Sequence, residues 1–171
     1  LLTISDRASE GTYADESGPL MQTLLEDLCK DKLDMHFIDT AIVPDDVEKI
    51  RRQVKAWSID DRDNDSNTNK NSKDIQLILT SGGTGFGLRD HTPEAIEPLL
   101  HRKAPGVAQA LLNEGLKYTP LAVLSRPVCG TINRTFIATL PGSTKAVREN
   151  IKALQPLLPR IMELLKEGTC H

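Results

Sequence analysis

The segment Thr80-Ser81-Gly82-Gly83-Thr84-Gly85-Phe86-Gly87 follows the apolar run Ile75-Gln76-Leu77-Ile78-Leu79 and has the composition of a ligand-binding loop. Glycines without Cβ let several backbone N–H groups converge on one anion, and the hydroxyls of Ser81 and Thr84 add donors. From Ser81 to Gly87, four glycines and two hydroxyls exceed what a tight strand-to-helix turn needs, which favours anion binding. Two better-known phosphate motifs do not fit. The Walker pattern ends in Gly-Lys-Ser/Thr, and no Lys follows this loop. The GxGxxG pattern fails because Leu88 stands where a third glycine would follow Gly83 and Gly85. Directly after comes Arg89-Asp90-His91-Thr92-Pro93-Glu94. Asp90 reads either as the cap of a helix headed by Pro93 or as a metal ligand beside a phosphate. Arg89 reads either as a solvated surface residue or as a positive charge for phosphate oxygens.

Three further segments are candidates. Asp45-Asp46 after Pro44 poses the same choice between cap and ligand. Asp45 and Asp90, at the ends of neighbouring strands, would share a rim, and Mg²⁺ typically uses one or two carboxylates plus substrate phosphates. Pro141-Gly142-Ser143-Thr144 and Ser17-Gly18-Pro19 each read as the start of a helix, whose positive end suits an anion. A ligand with several phosphate groups would use such multiplicity.

These loops need elements to position them, and strands and helices alternate along the chain. Leu1 to Ser5 reads as a buried strand, and a helix is expected from Ser17-Gly18-Pro19, with Ser17 as its cap. Leu20, Leu24, Leu25 and Leu28 follow at helical spacing. Met35 to Val43 reads as a second strand, stopped by Pro44. Val47, Ile50, Val54 and Trp57 then mark a helical core face. Residues 60–74 are almost devoid of apolar side chains and read as a polar, low-complexity surface insertion. Beyond the glycine loop, helices are expected from Pro93 to Leu100 and from Pro105 to about Lys117. Leu121 to Cys129 and Thr135 to Leu140 read as a hairpin joined by Gly130-Thr131-Ile132-Asn133. A long helix from Thr144 closes the chain, kinked or broken by Pro156 and Pro159. The pattern implies a three-layer α/β/α fold, with a mainly parallel sheet plus one antiparallel strand. In such sheets ligands bind outside the carboxyl ends of the strands, where these loops lie.

Composition narrows the function. The 171 residues suit a single domain spanning 1–171 with its insertion at 60–74. A net charge of -3 without a long basic run argues against a nucleic-acid partner. Cys29, Cys129 and Cys170 are widely spaced, with no CxxC pair, and the four histidines form no HxxxH. This points away from disulfides or structural zinc and towards a reducing, cytoplasmic compartment. Cys29 and Cys129 read as core residues. No apolar run approaches the roughly 20 residues of a membrane span. The chain shows no signal peptide and opens on Leu1-Leu2-Thr3-Ile4 as though a strand were already under way, so residues are expected to precede it.

Taken in order, Ser5-Asp6, Asp15 through Ser17-Gly18, Val43-Pro44-Asp45 and the loop TSGGTGFGLRDHTPEA resemble the molybdopterin adenylyltransferases. So do Ala104-Pro105-Gly106, Leu140-Pro141-Gly142-Ser143 and the stretch Thr119 to Gly130, which is especially similar to the N-terminal domain of gephyrin and its animal relatives. The related molybdate-inserting domain lacks the Thr-Gly-Phe and Arg-Asp-x-Thr-Pro-Glu-Ala pattern. The resemblance implies a molybdopterin-binding fold, a homotrimer and an adenylyl transfer from Mg²⁺-ATP to molybdopterin with release of pyrophosphate. It implies catalytic and metal-handling roles for Asp45 and Asp90. Ser81, Gly82, Gly83, Thr84, Gly85 and Arg89 would bind phosphate. Ser5, Asp6, Ser17, Gly18, Pro141, Gly142 and Ser143 would line the substrate pocket. Ser81 replaces the more usual Thr and keeps the hydroxyl, whereas Gly130-Thr131-Ile132-Asn133 departs from the Gly-Ile-Arg-Gly of many members.

The residues are compatible with that chemistry. A phosphate monoester with a second pKa near 6 is largely dianionic at neutral pH and needs no strong base. The protein has only to align two anions and neutralise the charge on the leaving pyrophosphate. The competing expectation is a gephyrin-like scaffold with little catalysis, which retention of both Asp45 and Asp90 disfavours. Fusion to or partnership with a molybdate-inserting domain is also implied.

Overall fold

The computed structural model describes residues 1–29, 36–37, 39–58 and 75–167. The expected insertion at 60–74, the first part of the expected strand at 35–43, and Cys170 lie outside the described residues or partly so. Strands β1 (Leu2–Ile4), β2 (Ala41–Val43), β3 (Leu77–Ser81), β4 (Arg102–Lys103), β5 (Cys129–Ile132) and β6 (Thr135–Leu140) form one sheet in the order β2-β1-β3-β6-β5-β4. β2, β1, β3 and β6 are parallel, and β5 is antiparallel to both β6 and β4. Only β5 therefore runs against the rest, as the sequence pattern implied.

Side chains alternate across a strand, so a sheet covered on both faces sends neighbours into different cores. Ile78 and Ile137 join Leu2 and Ile4 in one core, against Ile50, Val54 and Trp57 of α3 (Val47–Ser58) and Ala95 and Ile96 of the helix at Thr92–Ile96. Leu79, Phe136, Ala138 and Leu140 face the other way. They meet helices over Ser17–Cys29, Pro105–Leu116, Thr144–Leu154 and Leu158–Glu167. With the short helix at Asp6–Ser9, the helices in chain order are α1 (Asp6–Ser9), α2 (Ser17–Cys29), α3, α4 (Thr92–Ile96), α5 (Pro105–Leu116), α6 (Thr144–Leu154) and α7 (Leu158–Glu167). Each fully buried Leu or Ile contributes about 1.5–3 kcal/mol. The expected closing helix is broken between α6 and α7, where Pro156 has no N–H to continue it. Pro159 sits in the first turn of α7, where Pro is tolerated.

Three expectations are corrected. Leu121 to Cys129 is not a strand: Pro120–Leu124 forms a 3₁₀ turn, and only Cys129 enters β5. Thr119 caps the turn, its hydroxyl oxygen accepting from the Leu121 N–H. Pro120 and Pro127 cannot donate to a ladder, and Leu121, Val123 and Leu124 are exposed. The hairpin connection is also shorter than read. Gly130, Thr131 and Ile132 pair with Ile137, Phe136 and Thr135, leaving Asn133-Arg134 as a two-residue turn with Asn133 at φ 51°. Finally, α2 is capped by Asp15 rather than by Ser17: Asp15 Oδ1 accepts from the N–H groups of Ser17 and Gly18 at 3.0 and 3.1 Å. The sequence reading missed β4, a two-residue charged edge strand.

The turn gives a test. Asn tolerates a positive φ, whereas a β-branched residue does not. Asn133 Nδ2 also donates to the Ser58 carbonyl at 3.1 Å. Asn133→Val should therefore lower the unfolding free energy by about 1–3 kcal/mol. Asn133→Gly, which loses only the side-chain bond, should cost less, both read as urea midpoints at unchanged slope.

Candidate active site at the carboxyl ends of β1 and β3

The chain leaves β1 towards β2 on one side and returns through α3 to β3 on the other. The gap between the carboxyl ends of β1 and β3 is therefore the switch point of the sheet, where such folds open a crevice. A cavity of about 600 Å³ lies there. Ser5 follows β1 and caps α1, its hydroxyl oxygen accepting from the Ala8 N–H at 3.3 Å. Asp6, first in α1, then joins three loops. Its Oδ1 accepts from the Asp45 N–H at 3.0 Å, and its Oδ2 accepts from Arg89 Nε and Nη2 at 3.0 and 2.6 Å. Burial pushes the Asp6 carboxyl up, but the bonds from Arg89 and the Asp45 N–H outweigh it and hold it below its ordinary value.

Asp45 has no such partner for its charge. Asp46 serves as the cap of α3, accepting from the Lys49 N–H at 2.9 Å, which frees Asp45 from that role. The Oδ1 of Asp45 is buried without a hydrogen-bond partner among the described residues. Lost hydration, then repulsion from Asp6 and Asp90, push this carboxyl up to about 6. An orphaned anionic oxygen between two further carboxylates suits a divalent cation, which would supply the missing positive charge. Among the described residues no group of three or more His, Cys, Asp or Glu forms a ready ligand cluster, so a cation here would also draw on substrate oxygens.

The glycine loop is shaped by what it passes. Gly82, at φ 103°, runs against the Ile4 carbonyl so closely that a Cβ would collide with it. Gly83, at φ 61°, leaves its Cβ position to Asp45 Oδ1 and Thr92 Oγ1. Asp90 folds back on the loop, its Oδ2 accepting from the Gly87 N–H at 2.7 Å. The N-cap of α4 is His91, without a side-chain cap bond, so Asp90 does not cap that helix. Ser81 is 1% exposed, its hydroxyl has no hydrogen-bond partner among the described residues, and it lines the cavity. Thr84 instead shares a 3.2 Å hydrogen bond with Ser125.

Arg126 fastens the loop from outside. Its N–H donates to the Thr84 carbonyl at 2.8 Å, Nε to Gly85 at 2.9 Å and Nη2 to Asp90 at 3.0 Å. It also pairs with Glu94 and lies 5.4 Å from the centre of the Phe86 ring. On the far wall Ser17 Oγ donates to the Gly142 carbonyl at 2.8 Å, and Ser143 caps α6. Gly142 packs so near Gly82 that a Cβ would stand 3.1 Å from its Cα. The N–H groups of Ser17 and Gly18 meet Asp15, so the third expected anion site is filled by the chain's own carboxylate.

Of the residues singled out in the sequence, Ser5, Asp6, Ser17, Asp45, Ser81, Gly82, Gly83, Gly142 and Ser143 line the cavity. Gly18, Thr84, Gly85, Arg89, Asp90 and Pro141 stand outside its lining, Arg89 through its bond to Asp6 and Asp90 through its charge on Asp45. Sequence reasoning did not assign roles to Asp15 or Arg126. Their signals were an Asp two residues before a Ser-Gly-Pro helix start and a lone Arg beside Pro127. Cys129 is a core residue, 4% exposed, its thiol pushed by burial up to about 12.

The fold and cavity define a doubly wound α/β protein with a crevice at its switch point. Residues 1–160 match the family model described as "Probable molybdopterin binding domain", and the chain belongs to that family. It is 39% identical over 170 residues to a gephyrin of Dictyostelium discoideum, covering 96% of this chain and 22% of that protein. It is 34% identical over 165 residues to a molybdopterin adenylyltransferase of Helicobacter pylori, covering 96% and 85%. The crystal structure of the molybdopterin biosynthesis enzyme MoaB of Thermus thermophilus superposes with a TM-score of 0.79 at 36% identity, covering 96% and 92%. The chain thus spans less than a quarter of the gephyrin relative's length.

The raised Asp45 carboxyl has a consequence for stability. It titrates near 6 when folded against an ordinary 3.8. The stability it contributes is therefore fully present below about 3.8 and lost as pH rises through 6. Asp45→Asn should raise the unfolding free energy at pH 7.5 by roughly 1–2 kcal/mol, after discounting for solvent screening. At pH 4 it should change little, and urea unfolding at both pH values checks this.

Proposed function

We propose that this chain transfers the adenylyl group of Mg²⁺-ATP to the terminal phosphate of molybdopterin. A phosphate oxygen of molybdopterin forms a bond to the α-phosphorus of ATP, the bond from that phosphorus to the bridging oxygen breaks, and pyrophosphate leaves. The observation that carries the reading is the orphaned, buried Oδ1 of Asp45 beside Gly83 at the switch point. The family membership and the similarity to an adenylyltransferase over most of both chains support it.

Each residue's part follows from its surroundings. Ser81 offers an unengaged hydroxyl to a phosphate oxygen, and Gly82 and Gly83 let the ligand approach the backbone. Asp45 and Asp90 would hold Mg²⁺, which supplies positive charge to the leaving pyrophosphate. Arg89 keeps Asp6 ionised and in place, and Asp6 in turn orients the backbone of Asp45. The helix end at Ser143 favours an anion at the opposite wall. Neither substrate needs deprotonation by a strong base, so the site works by alignment and charge neutralisation.

The same reading extends to context. We place the reaction in the cytoplasm, where ATP and the unpaired, buried thiol of Cys129 are both at home. No described helix is long and apolar enough to cross a membrane. The length of the gephyrin relative beyond the matched region supports a neighbouring molybdate-inserting domain in the full protein. Self-association, as the homotrimer that the family resemblance implies, would use the exposed apolar run Leu121, Val123 and Leu124, with Leu116 and Tyr118 just before it in the chain.

Two measurements test this. Pyrophosphate release should require molybdopterin, Mg²⁺ and ATP together, and Asp90→Asn should lower it by about 10²-fold or more. A folded wild-type chain that releases none under these conditions sinks the reading. Sedimentation equilibrium should give three times the 18.8 kDa chain mass, with Val123→Glu shifting the population towards the single chain. A wild-type monomer at micromolar concentration would refute the trimer.

A further inference from the structure

We propose that Tyr13, backed by Arg7, forms the stacking wall that holds the flat nitrogenous heterocycle of a substrate in this cavity, and so acts as a specificity-determining residue. The proposal rests on the adenylyl-transfer reading above, in which both substrates carry such a ring on a phosphate. The chain has one Trp, two Tyr and three Phe, and among the described residues Tyr13 is the single aromatic side chain in the cavity lining. The rest of that lining is mostly hydroxyls, carboxylates and glycine backbone. Such groups hold phosphates and cations but offer no face to a heterocycle.

Nothing in the fold explains Tyr13 otherwise. It belongs to neither hydrophobic core, its side chain is half exposed, and its hydroxyl makes no hydrogen bond to a described residue. Yet its backbone is held firmly. The Arg7 carbonyl accepts from the N–H groups of Thr12 and Tyr13 at 3.0 and 3.2 Å, and from the Thr12 hydroxyl at 2.9 Å. Gly11, at φ 72°, lets the chain reverse after α1 to make these bonds. The Arg7 guanidinium stands 5.2 Å from the ring centre, a cation–π contact that restrains the ring. Arg7 itself lines the cavity. Two residues on, Asp15 ties the same loop to Thr3 of β1 at 2.8 Å and to the start of α2. A ring anchored at both ends of its loop, exposed, and facing an otherwise polar cavity is a surface prepared for stacking. The heterocycle and the phosphates would then be held by different loops, one after α1 and one after β3.

The test compares Tyr13→Ala and Tyr13→Phe with the wild-type chain. Calorimetry gives the affinities for Mg²⁺-ATP and for Mg²⁺-tripolyphosphate, which carries the phosphates without a base. Pyrophosphate release gives the KM for molybdopterin. Stacking on one aromatic face supports an effect of about 5- to 100-fold. Tyr13→Ala should therefore weaken Mg²⁺-ATP binding, or raise the KM for molybdopterin, by that factor, while tripolyphosphate binding stays within about two-fold. Whichever substrate responds identifies the ring that stacks. Tyr13→Phe should stay near wild type, since the ring and not the hydroxyl carries the contact. A folded Tyr13→Ala chain that handles both substrates as wild type does, or that loses ATP and tripolyphosphate equally, overturns the stacking wall while leaving adenylyl transfer intact. A wild-type chain that releases no pyrophosphate overturns both.

Discussion

The backbone of Gly82 runs against the carbonyl oxygen of Ile4 with no room for a Cβ between them, and the site depends on that approach. β1 and β3 are paired in parallel only through Leu2 and Thr3 opposite Thr80 and Ser81. Beyond that point the two chains must part, and at φ 103° Gly82 turns the loop across the end of β1 instead of away from it. Gly82 N–H still donates to the Leu140 carbonyl at 3.0 Å, so the turn remains tied to β6. Gly83 can then lie against Asp45, and Gly142 against Gly82. Any side chain at 82 would lift the loop off β1 and separate the residues that the switch point gathers.

Once the loops are gathered, their charges conflict. Asp6, Asp45 and Asp90 lie near enough for the first and last to raise the carboxyl of the second. Arg89 answers this mainly for Asp6, forming its short bond there, and its charge offsets only part of the repulsion at Asp45. The fold leaves the Oδ1 of the half-buried Asp45 without a hydrogen-bond partner among the described residues, a state that costs stability at neutral pH and that a well-packed core would not retain. Such local cost is expected where a site waits for a charge supplied by its ligand. Asp6 positions Asp45 by accepting its N–H, while its other oxygen holds Arg89.

The parts of this arrangement legible in the sequence were those carried by local chemistry. Glycines after an apolar run, helical spacing from Val47 to Trp57, and the six apolar or hydroxyl residues of β6 all reflect interactions with near neighbours in the chain, and all stand in the structure. The sheet's one reversed strand followed from a short Gly/Asn connection. What remained hidden depends on distant partners. Leu121 to Leu124 has the composition of a strand, but Pro120 and Pro127 leave it without a ladder to join. Whether Asp45 or Asp46 caps α3 cannot be read from two adjacent carboxylates. Geometry decides it, by giving Lys49 N–H to Asp46.

Arg126 shows the limit most clearly. It lies 41 residues from Gly85, on a segment with no regular structure, and nothing in its neighbourhood marks it as part of the glycine loop. Yet its guanidinium makes four donor contacts, to the carbonyls of Gly85 and Asp90 and the carboxylate of Glu94. A glycine-rich loop pays heavily in entropy when ordered, and a planar, many-donor side chain is an efficient way to order it. The glycines give the loop its path, and the guanidinium holds it there from the side away from the cavity. That division leaves Gly82, Gly83 and the Ser81 hydroxyl to line the cavity, while the groups that keep the loop in place stand outside its lining.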